Sequence, residues 1–294
     1  PPSTCNNGSA AAPCFTVEEC LASPPVEELS GDEKYAFVLS HSLEMPLKFP
    51  LPNLASMQYA AERHGVDVIF MVPKDGRHPL DDARRLELSN LGVKLVEVPW
   101  SLPPGMRYTR EGGWCGRKDL MRLHLLNLTG YSAVAFYDND VQIQGDVLPA
   151  LRCAARGYFL STSGPMSPMN LGFMAVRPSS SLMEAALDFA RRADYSDAEG
   201  WGGAGFLPAR RKFVGAECGQ GFFHTLLYKQ TELSASVLRR AGARISARQL
   251  DRCEWNYQRA CPRRGFECSS VRAHHKGGGA ECWKFDAAGP PELY

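Results

Sequence analysis

Asp138 and Asp140 stand one residue apart where an apolar run stops: Ala133-Val134-Ala135-Phe136-Tyr137 leads into Asp138-Asn139-Asp140, and Val141-Gln142-Ile143 resumes the apolar pattern. Two carboxylates in a partly dry place repel each other, and a cation relieves that cost. Oxygen ligands of this kind suit Mg2+ or Mn2+, the ions that bridge phosphate oxygens. The competing reading is an Asp-Asn-Asp turn between two strands, because both residue types favour turns. Arg117, Lys118 and Arg122 lie upstream, where they could reach a diphosphate or simply form a solvated helix face. Ser40, His41 and Ser42 follow the first strand-like run and could line a base or ribose; an unliganded loop is the equal alternative.

Side chains so far apart in sequence need a scaffold that gathers them. Residues 133–137 read as a strand covered on both faces, the pattern of a parallel sheet flanked by helices, and such sheets bind ligands at the carboxyl ends of their strands. The preceding chain alternates in the same sense. Strands are expected over Tyr35–Ser40, Val66–Val72 and Val93–Val98, with helices over Asn53–His64 and Asp81–Leu91 that end at Gly65 and Gly92. That is a doubly wound α/β order. Lys118–Leu128 carries apolar residues at roughly helical spacing and feeds the acidic strand, and Ser180–Ala193 is a further amphipathic helix. The long Gly-rich connection 194–215 is expected to be a loop or lid at the binding site, functional or mobile.

A chain of 294 residues with 44% hydrophobic content can bury a sizeable core. Thirty-three basic and 32 acidic residues give a net charge of +1, without the basic blocks that mark nucleic-acid or membrane binding. Ten cysteines without a Cys-x-x-Cys pair favour disulfides over zinc and hence an oxidising compartment. Cys5, Cys14 and Cys20 are an odd cluster, so full pairing requires a bridge from the N-terminal segment to the body. Residues 1–30, rich in Pro, Ser and Ala, read as a stem or linker before a single domain over 31–294. Asn7-Gly8-Ser9 and Asn127-Leu128-Thr129 fit the N-glycosylation pattern; Asn127 falls in a helical stretch expected to be half buried, leaving Asn7 as the usable site. The sequence begins at Pro1 with neither signal peptide nor apolar span, so the expectation is a lumenal fragment of the secretory pathway, in the Golgi or endoplasmic reticulum, whose membrane anchor precedes it.

Residues 123–146, with Asp138-Asn139-Asp140 at their centre, resemble the helix and metal-binding strand of the glycogenin-like retaining glycosyltransferases, family eight. Three further blocks follow in that family's order: 169–179 with Asn170-Leu171-Gly172, 218–224 with Gly219-Gln220-Gly221, and His274-His275-Lys276-Gly277. The resemblance spans roughly 34–285. It implies a Rossmann-like GT-A fold, with a mixed, mainly parallel sheet and a disulfide-rich C-terminal region. Residues 31–150 would be the half that binds the nucleotide sugar, and 151–294 the half that binds a protein or glycan acceptor.

In that family Asp-x-Asp holds manganese or magnesium against the diphosphate of a nucleotide sugar, commonly UDP-linked. Asp138, Asp140 and His274 would then be the metal ligands. His275 is the rival, and the offset to Gly277 favours His274. The family's Lys, six residues after the His, is Ala280 here, which leaves Lys276 and Lys284 as supplementary cations. Asn170 and Gln220 would lie beside the donor sugar, Gln220 near the face where a retaining mechanism needs a weak partner, with strand and helix-start hydrogen bonding as their plain alternative. The family's Asp before Gln, which touches sugar hydroxyls, is Gly219 here; either Glu217 replaces it or the donor differs from glucose. Trp255-Asn256-Tyr257 resembles an aromatic-Asn pair and is expected to pack in the core. Two other readings remain: an Asp-x-Asp phosphatase, disfavoured by Gln142, and a sugar-binding or inactive relative, favoured only by Gly219.

Overall fold

The computed structural model describes residues 4–6, 11–26, 32–47, 53–99, 117–164, 167–206, 212–258, 261 and 268–275. At the N-terminus, β1 (Thr4–Asn6) and β2 (Ala11–Pro13) form an antiparallel hairpin, followed by helix α1 (Val17–Ala22). Thr16 and Glu19 close a capping box at the start of α1, each side chain accepting the other's backbone N–H. The segment expected as a stem is therefore folded against the body over its described part. Cys20 is bridged to Cys153, Phe15 stacks on Tyr158, and the Phe15 and Val26 N–H groups donate to the Gln249 and Arg156 carbonyls. The expected bridge from this segment to the body is Cys20–Cys153.

Next come β3 (Tyr35–Ser40), α2 (Leu54–His64), β4 (Asp67–Pro73), α3 (Asp82–Asn90) and β5 (Val93–Val98), close to the expected limits. Gly65 and Gly92 stop their helices at φ +64° and +69°, a left-handed conformation that glycine adopts without strain. Arg117–Asn127 forms a 3-10 helix where a regular helix was expected; Leu120, Leu123 and Leu126, three apart, stack on its buried side. Asn127, at its end, is exposed, contrary to the expected half burial. The chain continues through β6 (Ala133–Tyr137), β7 (Val141–Ile143), α4 (Leu148–Ala155), β8 (Tyr158–Gly164), β9 (Ser167–Val176) and α5 (Ser180–Arg192).

After the small hairpin of β10 (Tyr195–Ser196) and β11 (Gly200–Trp201), α6 (Gly219–Phe223) runs into a π-helical stretch, His224–Lys229. Then follow α7 (Glu232–Arg240), β12 (Ser246–Leu250), α8 (Arg252–Trp255) and β13 (Ala273–His275). Seven strands make the main sheet in the order β12-β8-β9-β6-β3-β4-β5, and β9 alone runs against its neighbours. This is the expected fold class, a mixed and mainly parallel Rossmann-like sheet flanked by helices. Along β3, Tyr35, Phe37 and Leu39 enter one core with α1, α2 and α4, while Ala36 and Val38 enter the other with α5, α6 and α7. That two-sided burial is why β3 and β6 lack charge. β13 pairs with β7 outside the main sheet, and Cys253–Cys261 braces the C-terminal region near it.

Candidate functional site

Strand order reverses at β3: β4 and β5 extend the sheet to one side, and β6 returns to the other. A crevice at the carboxyl ends of β3 and β6 follows from that topology. Ser40 ends β3, Asp138 follows β6, and the Asn139 amide donates to the Ser40 carbonyl at 3.0 Å, tying the two tips together. Buried Asn53, just before α2, donates to the Asp138 carbonyl at 3.0 Å. The Asp138 carbonyl also accepts the Val141 N–H, so Asp138-Asn139-Asp140 is a turn as well as a pair of carboxylates. His41 and Ser42 line the loop after β3. The Leu43 N–H donates to His41 Nδ1 at 3.1 Å, and burial pushes the His41 pKa down.

The Asp138 carboxylate accepts from Arg122 Nη2 at 2.7 Å, and the same nitrogen lies 3.1 Å from the Asp119 carboxylate. The Arg122 guanidinium also covers the Phe136 ring at 4.6 Å. Burial alone would lower its pKa; Asp119, Asp138 and Asp140 outweigh that and hold it charged, above its ordinary value. Asp119 in turn accepts the Gly219 N–H at 2.8 Å, at the start of α6. From α6, Gln220 Oε1 accepts the Leu171 N–H at 3.3 Å, and the Gly172 carbonyl accepts the Asp138 N–H at 3.1 Å. The circuit Asp138–Arg122–Asp119–Gly219–Gln220–Leu171–Gly172–Asp138 thus closes on itself. It joins three sequence blocks beside the carboxyl end of β6.

Asn170 lies where β9 breaks register with β8: Ser161 faces Met174, but Thr162 faces Asn170. Asn170 Oδ1 accepts the Gly172 N–H at 2.7 Å and the Asn256 amide at 2.9 Å, and buried Asn256 also reaches Thr162 Oγ1 at 3.2 Å. A Cβ on Gly172 would fall 2.8 Å from Asn170 Oδ1 and 3.0 Å from Asn256 Nδ2, so the glycine of Asn-x-Gly is a packing requirement. Trp255 and Tyr257 are buried, as expected for core packing.

Among the described residues no three metal-ligating side chains converge on one point. Asp138 and Asp140 share one strand tip, and each is partly exposed. His274 is fully buried, its ring stacked 4.8 Å from that of Tyr257. In the β7–β13 ladder it faces Gln142, two residues beyond Asp140, while His275 faces Val141. Lys276, Gly277 and Lys284 lie outside the described residues.

The Gly-rich connection expected as a lid is anchored over its described part. The Trp201 indole donates to the Ala216 carbonyl at 2.9 Å, and Lys229 donates to the Ala204 and Gly205 carbonyls. Gln220 Nε2 reaches the Val214 carbonyl at 2.6 Å, so both ends of its amide make bonds of the kind given as the alternative to a place beside the donor sugar. Glu217 lies 3.4 Å from Lys212 Nζ. Asp119 and Asn53 were not singled out from the sequence, and Asn256 only as part of an aromatic pair. An Asn heading a helix was the one available signal for Asn53.

No family model matches the chain, and no curated protein matches it. Solved structures resemble it distantly. The apo form of the bifunctional glycosyltransferase WbbM is 11% identical, with 86% of this chain and 47% of that chain covered and a TM-score of 0.47. Mouse xyloside xylosyltransferase 1, also apo, is 11% identical, with 84% and 98% covered and a TM-score of 0.45. The galactosyltransferase LgtC in complex with donor and acceptor sugar analogues is 12% identical, with 86% and 91% covered and a TM-score of 0.41. At such scores these likenesses carry no argument; the fold class stands on the chain's own strand order.

Proposed function

We propose that this chain is a metal-dependent glycosyltransferase that moves a sugar from a nucleoside diphosphate donor, UDP-linked, to a hydroxyl of a protein or glycan, with retention at the anomeric carbon. The supporting observation is the closed hydrogen-bonded circuit at the switch point of the sheet. It gathers the Asp-x-Asp tip, the Asn-x-Gly strand and the Gln-Gly helix start, three of the blocks on which the resemblance rests. A bare turn between two strands would not call for a charged guanidinium bridging Asp138 and Asp119 in a sheltered place.

Asp138 and Asp140 suit a divalent cation, manganese or magnesium, because two carboxylates on one tip outnumber the one positive charge of Arg122. Bound there, the cation would neutralise charge appearing on the departing diphosphate. Arg122 stands beside it as a fixed positive charge, kept in place by Asp119. Ser40, His41 and Ser42 line the nucleotide side of the tip. Gln220 retains one N–H and one oxygen lone pair beyond its two bonds, enough to meet the donor sugar. Asn170 is held rigid by Asn256. His274 is assigned as the third metal ligand and Lys276 or Lys284 as a supplementary cation. The Cys20–Cys153 and Cys253–Cys261 disulfides support a secretory lumen as the working compartment, in the Golgi or endoplasmic reticulum. Among the described residues no helix is long and apolar enough to cross a membrane.

Incubation with a panel of nucleotide sugars, manganese and water as acceptor tests the proposal. Slow hydrolysis of one donor is expected, abolished in Asp138→Asn and Asp140→Asn. Turnover of phosphomonoesters instead would make the protein a phosphatase, and binding without turnover a sugar-binding module.

A further inference from the structure

Position 219 is where the chain departs from the motif it resembles, and a carboxylate from elsewhere rests against it. Asp119 belongs to the 3-10 helix, 100 residues earlier in sequence. One of its oxygens accepts the Gly219 N–H at 2.8 Å, and the other lies 3.1 Å from Arg122 Nη2. A Cβ at 219 would come within 2.7 Å of Asp119 Oδ2. A side chain at 219 and the carboxylate of Asp119 as it is placed therefore compete for the same gap. Gly219 is not among the glycines at positive φ, so its backbone does not demand glycine; the neighbouring carboxylate does.

We propose that Asp119 is a specificity-determining residue: its carboxylate accepts hydroxyl groups of the donor's sugar ring next to Gln220. This rests on the glycosyl-transfer reading above and deepens it. A carboxylate offers about four acceptor positions, and two are used here. Its side chain is 12% exposed, so a hydroxyl reaching it meets a sheltered charge, where hydrogen bonds are strong. Asp138 is already engaged by Arg122 and assigned to the cation. Glu217, the residue that the sequence offers as a substitute, faces Lys212 on the Gly-rich connection. Asp119 is the carboxylate in contact with Gly219.

Asp119→Asn tests this, because the amide keeps the shape and can still accept the Gly219 N–H. Titration calorimetry with manganese compares UDP, the UDP-sugar that the native protein hydrolyses best, and deoxy versions of that donor each lacking one ring hydroxyl. The variant is expected to lose about 10- to 100-fold more affinity for the full donor than for UDP, the size of a hydrogen bond to a charged acceptor. One deoxy donor should bind both proteins alike. As a second variant, Asp119→Ser combined with Gly219→Asp returns a carboxylate to the same gap from the other side. It should restore the discrimination that Gly219→Asp alone loses. If Asp119→Asn keeps the native ratio of full to deoxy donor, or loses UDP and donor affinity equally, Asp119 only holds α6 in place and the inference is overturned while glycosyl transfer stands. If the native protein neither binds nor hydrolyses any nucleotide sugar, the functional reading falls and takes this inference with it.

Discussion

Gly221→Ala sets two familiar effects against each other. Gly221 lies inside α6 and is not among the glycines at positive φ, so helix propensity alone predicts that alanine stabilises by about 1 kcal/mol. The structure predicts the opposite. A Cβ there would lie 1.9 Å from the Ala216 carbonyl oxygen and 2.5 Å from its carbon, far inside the 3.4 Å of ordinary contact. Both atoms are backbone, so no side-chain rotation relieves the overlap, and α6 must part from the segment before it. Two hydrogen bonds join α6 to that segment, Gly221 N–H to the Gly215 carbonyl at 3.0 Å and Gln220 Nε2 to the Val214 carbonyl at 2.6 Å. Overpacking costs about 1–3 kcal/mol and each weakened bond about 1 kcal/mol, so the net expectation is destabilisation by about 2–4 kcal/mol. Urea denaturation with the disulfides intact should show a lower midpoint at unchanged slope. A midpoint equal to or above that of the native protein would refute the reasoning.

Three other outcomes are expected. His274→Ala should weaken manganese-dependent binding of UDP in calorimetry and cut transfer by orders of magnitude, with His275→Ala doing much less; the reverse ranking would move the metal ligand to His275. Burial, and then Lys229, push the His224 pKa from its ordinary 6.5 down to about 4, so the folded state favours the neutral ring. That contribution is fully present above pH 6.5 and falls by about 3 kcal/mol between there and pH 4; denaturation midpoints should follow it in the native protein and not in His224→Phe, and equal pH slopes would exclude it. Expressed through the secretory route, the protein should carry a glycan on exposed Asn127, seen as a mass loss on enzymatic deglycosylation that Asn127→Gln reduces by one glycan.

The strands were legible because burial leaves a mark in the sequence: Tyr35–Ser40, uncharged and covered on both faces, and Val93–Val98, valines with exposed Lys94 and Glu97 between them, coincide with β3 and β5 residue for residue. Gly65 and Gly92 were legible as stops for the same reason that they work, their positive φ. The 3-10 helix was not, since leucines three apart satisfy either helix period until packing decides. Nor was the fold of residues 11–26, although Thr16 and Glu19 have capping-box spacing; what fastens that segment is a disulfide partner 133 residues away. Asp119 escaped notice because its contact is a backbone N–H on a distant glycine, which leaves no pattern in either stretch.

The Cys20–Cys153 bridge makes the first half of the protein a covalent ring, with β3, β4, β5, β6 and β7 all threaded between its two cysteines. Closing a ring of that size restricts the unfolded chain by about 4–5 kcal/mol on the chain-entropy view. It also fixes an order of events during synthesis. Cys20 emerges early and has to wait for Cys153, with Cys5 and Cys14 close by as rival thiols, so the correct pair can form only after the acidic strand has been made. A protease that cuts once inside the ring would release nothing, and the halves would separate only under reduction. A chain shortened to begin after residue 30 would lose the ring altogether and leave Cys153 an unpaired thiol on the inner face of α4.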